Sequence, residues 1–228
     1  MRLALACVAA LVVCGSASAG VSLRVLFVGN SLTAANDLPH VVAELGARTE
    51  TTITYDVRAP GGFALEDHWQ QTDVREAIET GGYDWVVLQQ GPSTLPESGE
   101  NLRVWARTFA DAVRAAGARA ALYAVWPESA RRYALDAGIA NYRRAAVESG
   151  SVLLPVGAAW KRALVAAPNL ALYGSDGFHP SRLGTYAAAV VIYAGLTGRP
   201  AVGLPRLGFS ARVARIVQTA AAAALRSR

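Results

Sequence analysis

Short runs of apolar, mostly β-branched residues alternate along this chain with longer stretches in which apolar positions recur every three or four residues. Residues 23–28 form the first run, bounded by Gly29-Asn30, and read as a buried strand. Helical spacing follows over 39–48, with Asn36 or Asp37 placed as its N-cap. A second strand over 51–58 ends at Pro60-Gly61-Gly62, and a helix over 65–79 stops at Gly81-Gly82. Residues 84–89 make a third strand, apolar enough for burial on both faces. The Pro-, Ser- and Gly-rich segment 91–99 reads as a loop. Then come a helix over 102–116, a strand over 120–125, a helix over 132–148, a strand over 152–154 and a helix over 156–166. Residues 173–180 form a loop, Ser181 opens a helix that runs to 196, and 210–226 is a last helix.

Strand–helix alternation with solidly apolar strands predicts an α/β fold: one parallel sheet of about five strands, covered by helices on both faces. In such sheets the ligand sits beyond the carboxyl ends of the strands. Segments 29–33, 60–63, 89–94 and 126–128 and the loop carrying Asp176 and His179 are therefore expected to converge. There is no internal repeat, low-complexity tract or composition break, so 20–228 reads as one domain.

The first residues bear on location. Met1-Arg2, the apolar run 3–13 and Ala17-Ser18-Ala19 have the layout of a cleaved signal peptide over residues 1–19, with Gly20 as the new start. Such a chain is secreted or periplasmic. The run is about half of the ~20 residues a spanning helix needs, so stable membrane insertion is not expected. Cys14 also permits a lipoprotein reading, although Val12 and Val13 precede it where small residues are usual. Cys7 and Cys14 both lie in this segment, so the mature chain is expected to have neither disulfide nor thiolate-bound metal.

The net charge is +5, and Lys161 is the one lysine. The arginines are scattered in runs no longer than two, which argues against a nucleic-acid partner.

Three of the converging segments hold what acyl transfer needs. Ser31 follows the first strand directly, at the sheet edge. Serine is a poor nucleophile unless a base takes its proton as it attacks; a Gly-Asn-Ser turn also suits a plain helix cap. The histidines are His40, His68 and His179. His40 sits within a helix and reads as structural, and His68, in the first turn of another, as supporting. His179 lies in Asp176-Gly177-Phe178-His179-Pro180. The spacing lets the carboxylate take one ring N–H while the other nitrogen faces a serine; a turn with a helix cap has the same pattern. Trp126 and Trp69 lie near the same edge, placed either to stack on a sugar ring or to pack in the core. Trp85, Trp105 and Trp160 read as core. No His-x-x-x-His or acidic cluster suggests a metal site.

Together these blocks resemble the SGNH hydrolase superfamily, also called GDSL-type lipases and esterases. Gly29-Asn30-Ser31-Leu32-Thr33 is similar to its first block, with Asn30 where aspartate is commoner. Asp176 and His179, followed by Pro180, match its last block. The resemblance implies a three-layer flavodoxin-like fold and a Ser-His-Asp site without metal or cofactor: Ser31 as nucleophile, His179 as base, Asp176 orienting the base. It also implies an oxyanion hole of three donors: the Ser31 N–H, a glycine N–H (Gly62, with Gly61 second) and a side-chain amide. The usual Gly-x-Asn-Asp block is absent here. Gln90-Gly91 resembles the Gln-Gly of some acetylesterases, so Gln90 is expected as the third donor, although simple alignment puts Ser93 there. The expected function is ester hydrolysis, with a small-molecule or O-acylated carbohydrate substrate. A lipase, thioesterase or acyltransferase would use the same residues. From another class, a non-catalytic carbohydrate- or envelope-binding module would share the fold.

Overall fold

A computed structural model describes residues 21–228; the expected signal peptide, with Cys7 and Cys14, lies outside the described residues. The strands are β1 (Val21–Val28), β2 (Thr51–Arg58), β3 (Trp85–Leu88), β4 (Arg119–Tyr123) and β5 (Val152–Leu154). The α-helices are α1 (Ser31–Ala34), α2 (Leu38–Ala47), α3 (Leu65–Gln71), α4 (Val74–Thr80), α5 (Pro96–Ala115), α6 (Leu135–Ser149), α7 (Val156–Ala166), α8 (Arg182–Thr197) and α9 (Ala211–Arg226).

Every neighbouring strand pair is parallel, in the order β2-β1-β3-β4-β5. The chain steps outward from β1 to β2, then returns past β1 to β3. Strand order reverses between β1 and β3, and such a switch point opens a crevice at the carboxyl ends. The expected three-layer, flavodoxin-like α/β architecture is the observed one. Right-handed crossovers place α2 on the face opposite α3 to α6. There α8 packs against α2, and α7 and α9 pack against α8; on the other face α5 pairs with α6 and touches α3 and α4.

Burial explains which elements show in the sequence. Val25–Val28 and Trp85–Leu88 are closed to solvent on both faces, so they read as solid apolar runs. Helix α8 is buried almost all round from Gly184 to Ala194, the mark of a helix packed on more than one side. β1 begins two residues earlier than its apolar run, because Val21 and Ser22 pair at the exposed edge with Thr51 and Thr52.

Several boundaries and one cap differ from expectation. The helix expected over 65–79 is two, α3 and α4. Thr72 between them is extended, its Oγ1 donating to the His68 carbonyl (2.8 Å) and accepting the Val74 N–H (3.2 Å). The expected loop 91–99 ends at Leu95. Pro96 opens α5, where its missing N–H costs nothing, and Ser98 Oγ accepts the Leu95 N–H at 3.1 Å. The helix expected from 132 starts at Leu135 after a 3-10 turn, Ser129–Ala134. Neither Asn36 nor Asp37 caps α2 through its side chain; both have positive φ, 51° and 52°.

Candidate active site

The serine is presented by a tight exit from β1. Asn30 caps α1: its Oδ1 accepts the Leu32 N–H (3.1 Å) and its carbonyl accepts those of Thr33 (2.9 Å) and Ala34 (3.0 Å). Ser31 is thereby the first helical residue, half-buried, and its N–H meets no acceptor among the described residues. The turn leaves no room for a side chain at Gly29, where a Cβ would collide with Thr33 Oγ1 and Gln89 Oε1. The Gly29 carbonyl accepts from Nε2 of His68 at 2.7 Å. Desolvation in this buried place holds the His68 imidazole below its ordinary pKa, and its other nitrogen, Nδ1, has no partner.

The histidine is presented by the loop before α8, pinned by the Gly174 N–H on the His179 carbonyl (2.7 Å) and by a bridge from Tyr173 to Pro180. Asp176 Oδ1 accepts the N–H groups of Phe178 and His179, each at 3.0 Å, and Oδ2 accepts from His179 Nδ1 at 2.6 Å. These bonds, the Phe178 N–H foremost and then the imidazole, hold the Asp176 carboxyl below the usual range. With Nδ1 carrying its proton to the carboxylate, His179 Nε2 is the acceptor 2.9 Å from Ser31 Oγ. Ser31, His179 and Asp176 thus form one hydrogen-bonded chain.

Three contacts hold this loop against the rest of the site. Trp126 Nε1 donates to the Phe178 carbonyl (3.0 Å), the Ser129 N–H to that of Gly177 (2.7 Å), and Asn36 Nδ2 to the Pro180 carbonyl and Thr185 Oγ1 (2.9 Å each). Asn36 joins the serine segment to the histidine loop. The sequence hides this role, because Asn-Asp before Leu-Pro reads as an ordinary cap.

Gly62 and Gln90 border a cavity of about 430 Å³, with Asn30 and Phe178, the chain neighbours of Ser31 and His179, also in its wall. Gly61 is not part of that wall. Gly62 has φ 80°, which suits glycine, and its N–H meets no acceptor among the described residues. Gln90 Oε1 accepts the Leu65 N–H at 3.3 Å, while its Nε2 has a single long contact of 3.4 Å, to Ser93 Oγ. Ser93 turns its hydroxyl back to the Gly91 carbonyl at 3.0 Å. Of the two, Gln90 is the one with donor capacity left for the cavity.

The five expected segments do converge, but the tryptophans are not at the surface of the site. Trp126 is fully buried and stacked on Trp160, ring centroids 3.5 Å apart at 11°, while Trp69 packs against Trp105 and Phe109 of α5. Both are packing residues. Trp85 and Trp160 are buried as expected, and Trp105 is half-buried against the core. His40 is exposed on α2. Among the described residues no three His, Cys, Asp or Glu side chains are grouped to hold a metal, and no helix is long and apolar enough to cross a membrane.

No protein-family model and no curated protein matches this sequence. Solved structures do. A protein from Slackia heliotrinireducens assigned to the SGNH hydrolases is 28% identical, with TM-score 0.66 over 77% of this chain and 99% of that one. A DUF4886 family protein from Bacteroides uniformis is 19% identical, with TM-score 0.76 over 90% and 95%. Axe2, an acetylxylan esterase from Geobacillus stearothermophilus, is 18% identical, with TM-score 0.58 over 84% and 96%. Strand order, the sequence of motifs and these likenesses agree: the chain is similar to the SGNH hydrolases, the GDSL-type lipases and esterases, and shares their fold.

Proposed function

We propose that the protein is an exported serine esterase that hydrolyses carboxylic esters, with O-acetyl groups on carbohydrate as its substrate class. The observation that carries this reading is the unbroken chain Asp176 Oδ2, His179 Nδ1, His179 Nε2, Ser31 Oγ, with links of 2.6 and 2.9 Å. A serine so placed can be deprotonated as it attacks, which is what nucleophilic catalysis by a hydroxyl requires.

Ser31 Oγ adds to the ester carbonyl while His179 Nε2 takes its proton. The N–H groups of Ser31 and Gly62 and the Gln90 amide stabilise the oxyanion, and losing one such donor typically costs about 3–4 kcal/mol of transition-state stabilisation. The carbon–oxygen bond to the alcohol then breaks, and the alcohol leaves with the proton from His179. Water, deprotonated by the same nitrogen, cleaves the acyl-enzyme and frees the acid. Asp176 stays ionised throughout and balances the transient imidazolium.

The substrate class is supported by the cavity, whose wall includes Ser93, Asn101 and Arg131 and suits a short acyl group on a hydrophilic alcohol better than a lipid chain. It is also the class of the acetylxylan esterase with the same fold. Export rests on the leader-like residues 1–19. The test is release of p-nitrophenol from acetyl, butyryl and octanoyl esters and of acetate from acetylated xylan. Ser31→Ala and His179→Ala should abolish both; activity that survives Ser31→Ala removes the proposed nucleophile.

A further inference from the structure

We propose that Gln89 is a positioning residue that sets the spacing of the three oxyanion donors; the proposal rests on the esterase reading above. Each donor has a chain neighbour in one buried amide network: Asn30 before Ser31, Phe63 after Gly62, and Gln89 before Gln90. Gln89 Oε1 accepts the Asn30 backbone N–H at 2.9 Å and the Thr33 hydroxyl at 2.8 Å. Its Nε2 donates to Asn30 Oδ1 at 3.0 Å and to the Gln90 carbonyl at 2.7 Å. Asn30 Nδ2 continues the network to the Phe63 carbonyl at 3.0 Å.

The backbone groups determine which way both amides face. A peptide N–H must meet Gln89 Oε1 and a peptide carbonyl must meet Nε2, so a flipped amide would oppose like groups at both ends. The same holds for Asn30, between the Leu32 N–H and the Phe63 carbonyl. Here the neutral amide at position 30 does what the commoner aspartate cannot, because an ionised carboxylate has no hydrogen to give the Phe63 carbonyl. Gln89 is fully buried and absent from the cavity wall, so its influence on a substrate runs through its neighbours. An apolar side chain would fill the space but leave the Asn30 N–H and the Gln90 carbonyl without these bonds.

The test compares steady-state kinetics of wild type, Gln89→Glu and Thr33→Val on p-nitrophenyl acetate, per site labelled by a fluorophosphonate so that unfolded protein does not count. The Gln89→Glu carboxylate keeps both acceptor bonds but opposes Asn30 Oδ1 and the Gln90 carbonyl. It should lower kcat about 100-fold with KM little changed, the scale of a donor displaced by an ångström. Thr33→Val removes one bond to Gln89 and keeps its shape; it should lower kcat about 2- to 10-fold, the equivalent of one ordinary hydrogen bond. If Gln89→Glu does not fold, Thr33→Val decides. Wild-type kcat in either folded variant, or a raised KM at unchanged kcat, overturns the proposal. Wild-type protein with neither turnover nor labelling overturns the esterase reading, and this proposal falls with it.

Discussion

Asp176 holds His179 at two points at once: one carboxylate oxygen takes the backbone N–H at 3.0 Å and the other takes ring Nδ1 at 2.6 Å. The carboxylate therefore shapes the loop and orients the imidazole together. Asp176→Asn separates the two jobs. The amide oxygen can keep the backbone bonds, whereas its NH₂ facing Nδ1 forces the wrong tautomer. Activity should fall by about 10³- to 10⁴-fold, as in a serine triad with the ring misprotonated. The thermal midpoint at pH 7 should shift by less than about 3 °C, since the site is exposed. Equal losses of activity and folded protein would contradict this division.

The lowered titration of Asp176 and of His68 have different consequences with pH. For Asp176, the stabilisation is present above the ordinary aspartate value of about 3.9 and is lost as pH falls through the lower folded value. For His68, burial disfavours the imidazolium, so the unfolded chain binds more protons just below the ordinary value of about 6.5. Stability is complete above that pH and declines below it. The melting temperature of wild type should drop between pH 7 and 5, and His68→Gln, which can still donate to the Gly29 carbonyl, should flatten that slope. A slope unchanged in His68→Gln assigns it to other groups.

Tyr142 supports the loop after β3 from below, its hydroxyl donating to the Gln90 carbonyl (2.6 Å) and accepting the Gln90 N–H (3.2 Å). Tyr142→Phe leaves those groups buried without that partner and should cost about 1–3 kcal/mol in urea unfolding. Catalysis should weaken as well, because Gln90 carries the amide at the cavity. Unchanged stability would mean that water replaces the hydroxyl.

Trp126 gives a clean contrast between packing and substrate stacking. Trp126→Ala should destabilise the protein by about 3–5 kcal/mol, the usual effect of emptying a buried aromatic site. Trp126→Phe keeps much of the volume and loses the bond to the Phe178 carbonyl. It should lower kcat while KM for acetylated xylan stays as in wild type. A KM raised for the polysaccharide alone would return Trp126 to the substrate.

The sheet and the segments that carry Ser31, Asp176 and His179 were legible because their signals are strong. β1 and β3 are buried on both faces and so uninterrupted in apolar character, and histidine is rare enough that Asp176-x-x-His179 stands out. What was missed depends on direction rather than residue type. Asn36 reads as a cap, but its left-handed backbone turns the side chain toward Pro180. Trp126 sits at a strand end, where either burial or display fits the pattern, and only Trp160 opposite decides it. The start of α5 was hidden because proline at a first helical position and proline in a loop look alike. Gln89 and Gln90 are adjacent and identical in type; just past the end of β3, one side chain enters the network and the other borders the cavity.

The separation of Ser31 from its base has a bearing on biosynthesis. Ser31 and His179 stand 148 positions apart, and Asn36 gains its partners only when Pro180 and Thr185 arrive, so the proposed nucleophile emerges from the ribosome early and stays unactivated until the segment carrying His179 docks. A nascent polypeptide that stops short of that segment carries the serine without the means to ionise it, so the proposed mechanism makes ester cleavage wait for the histidine loop.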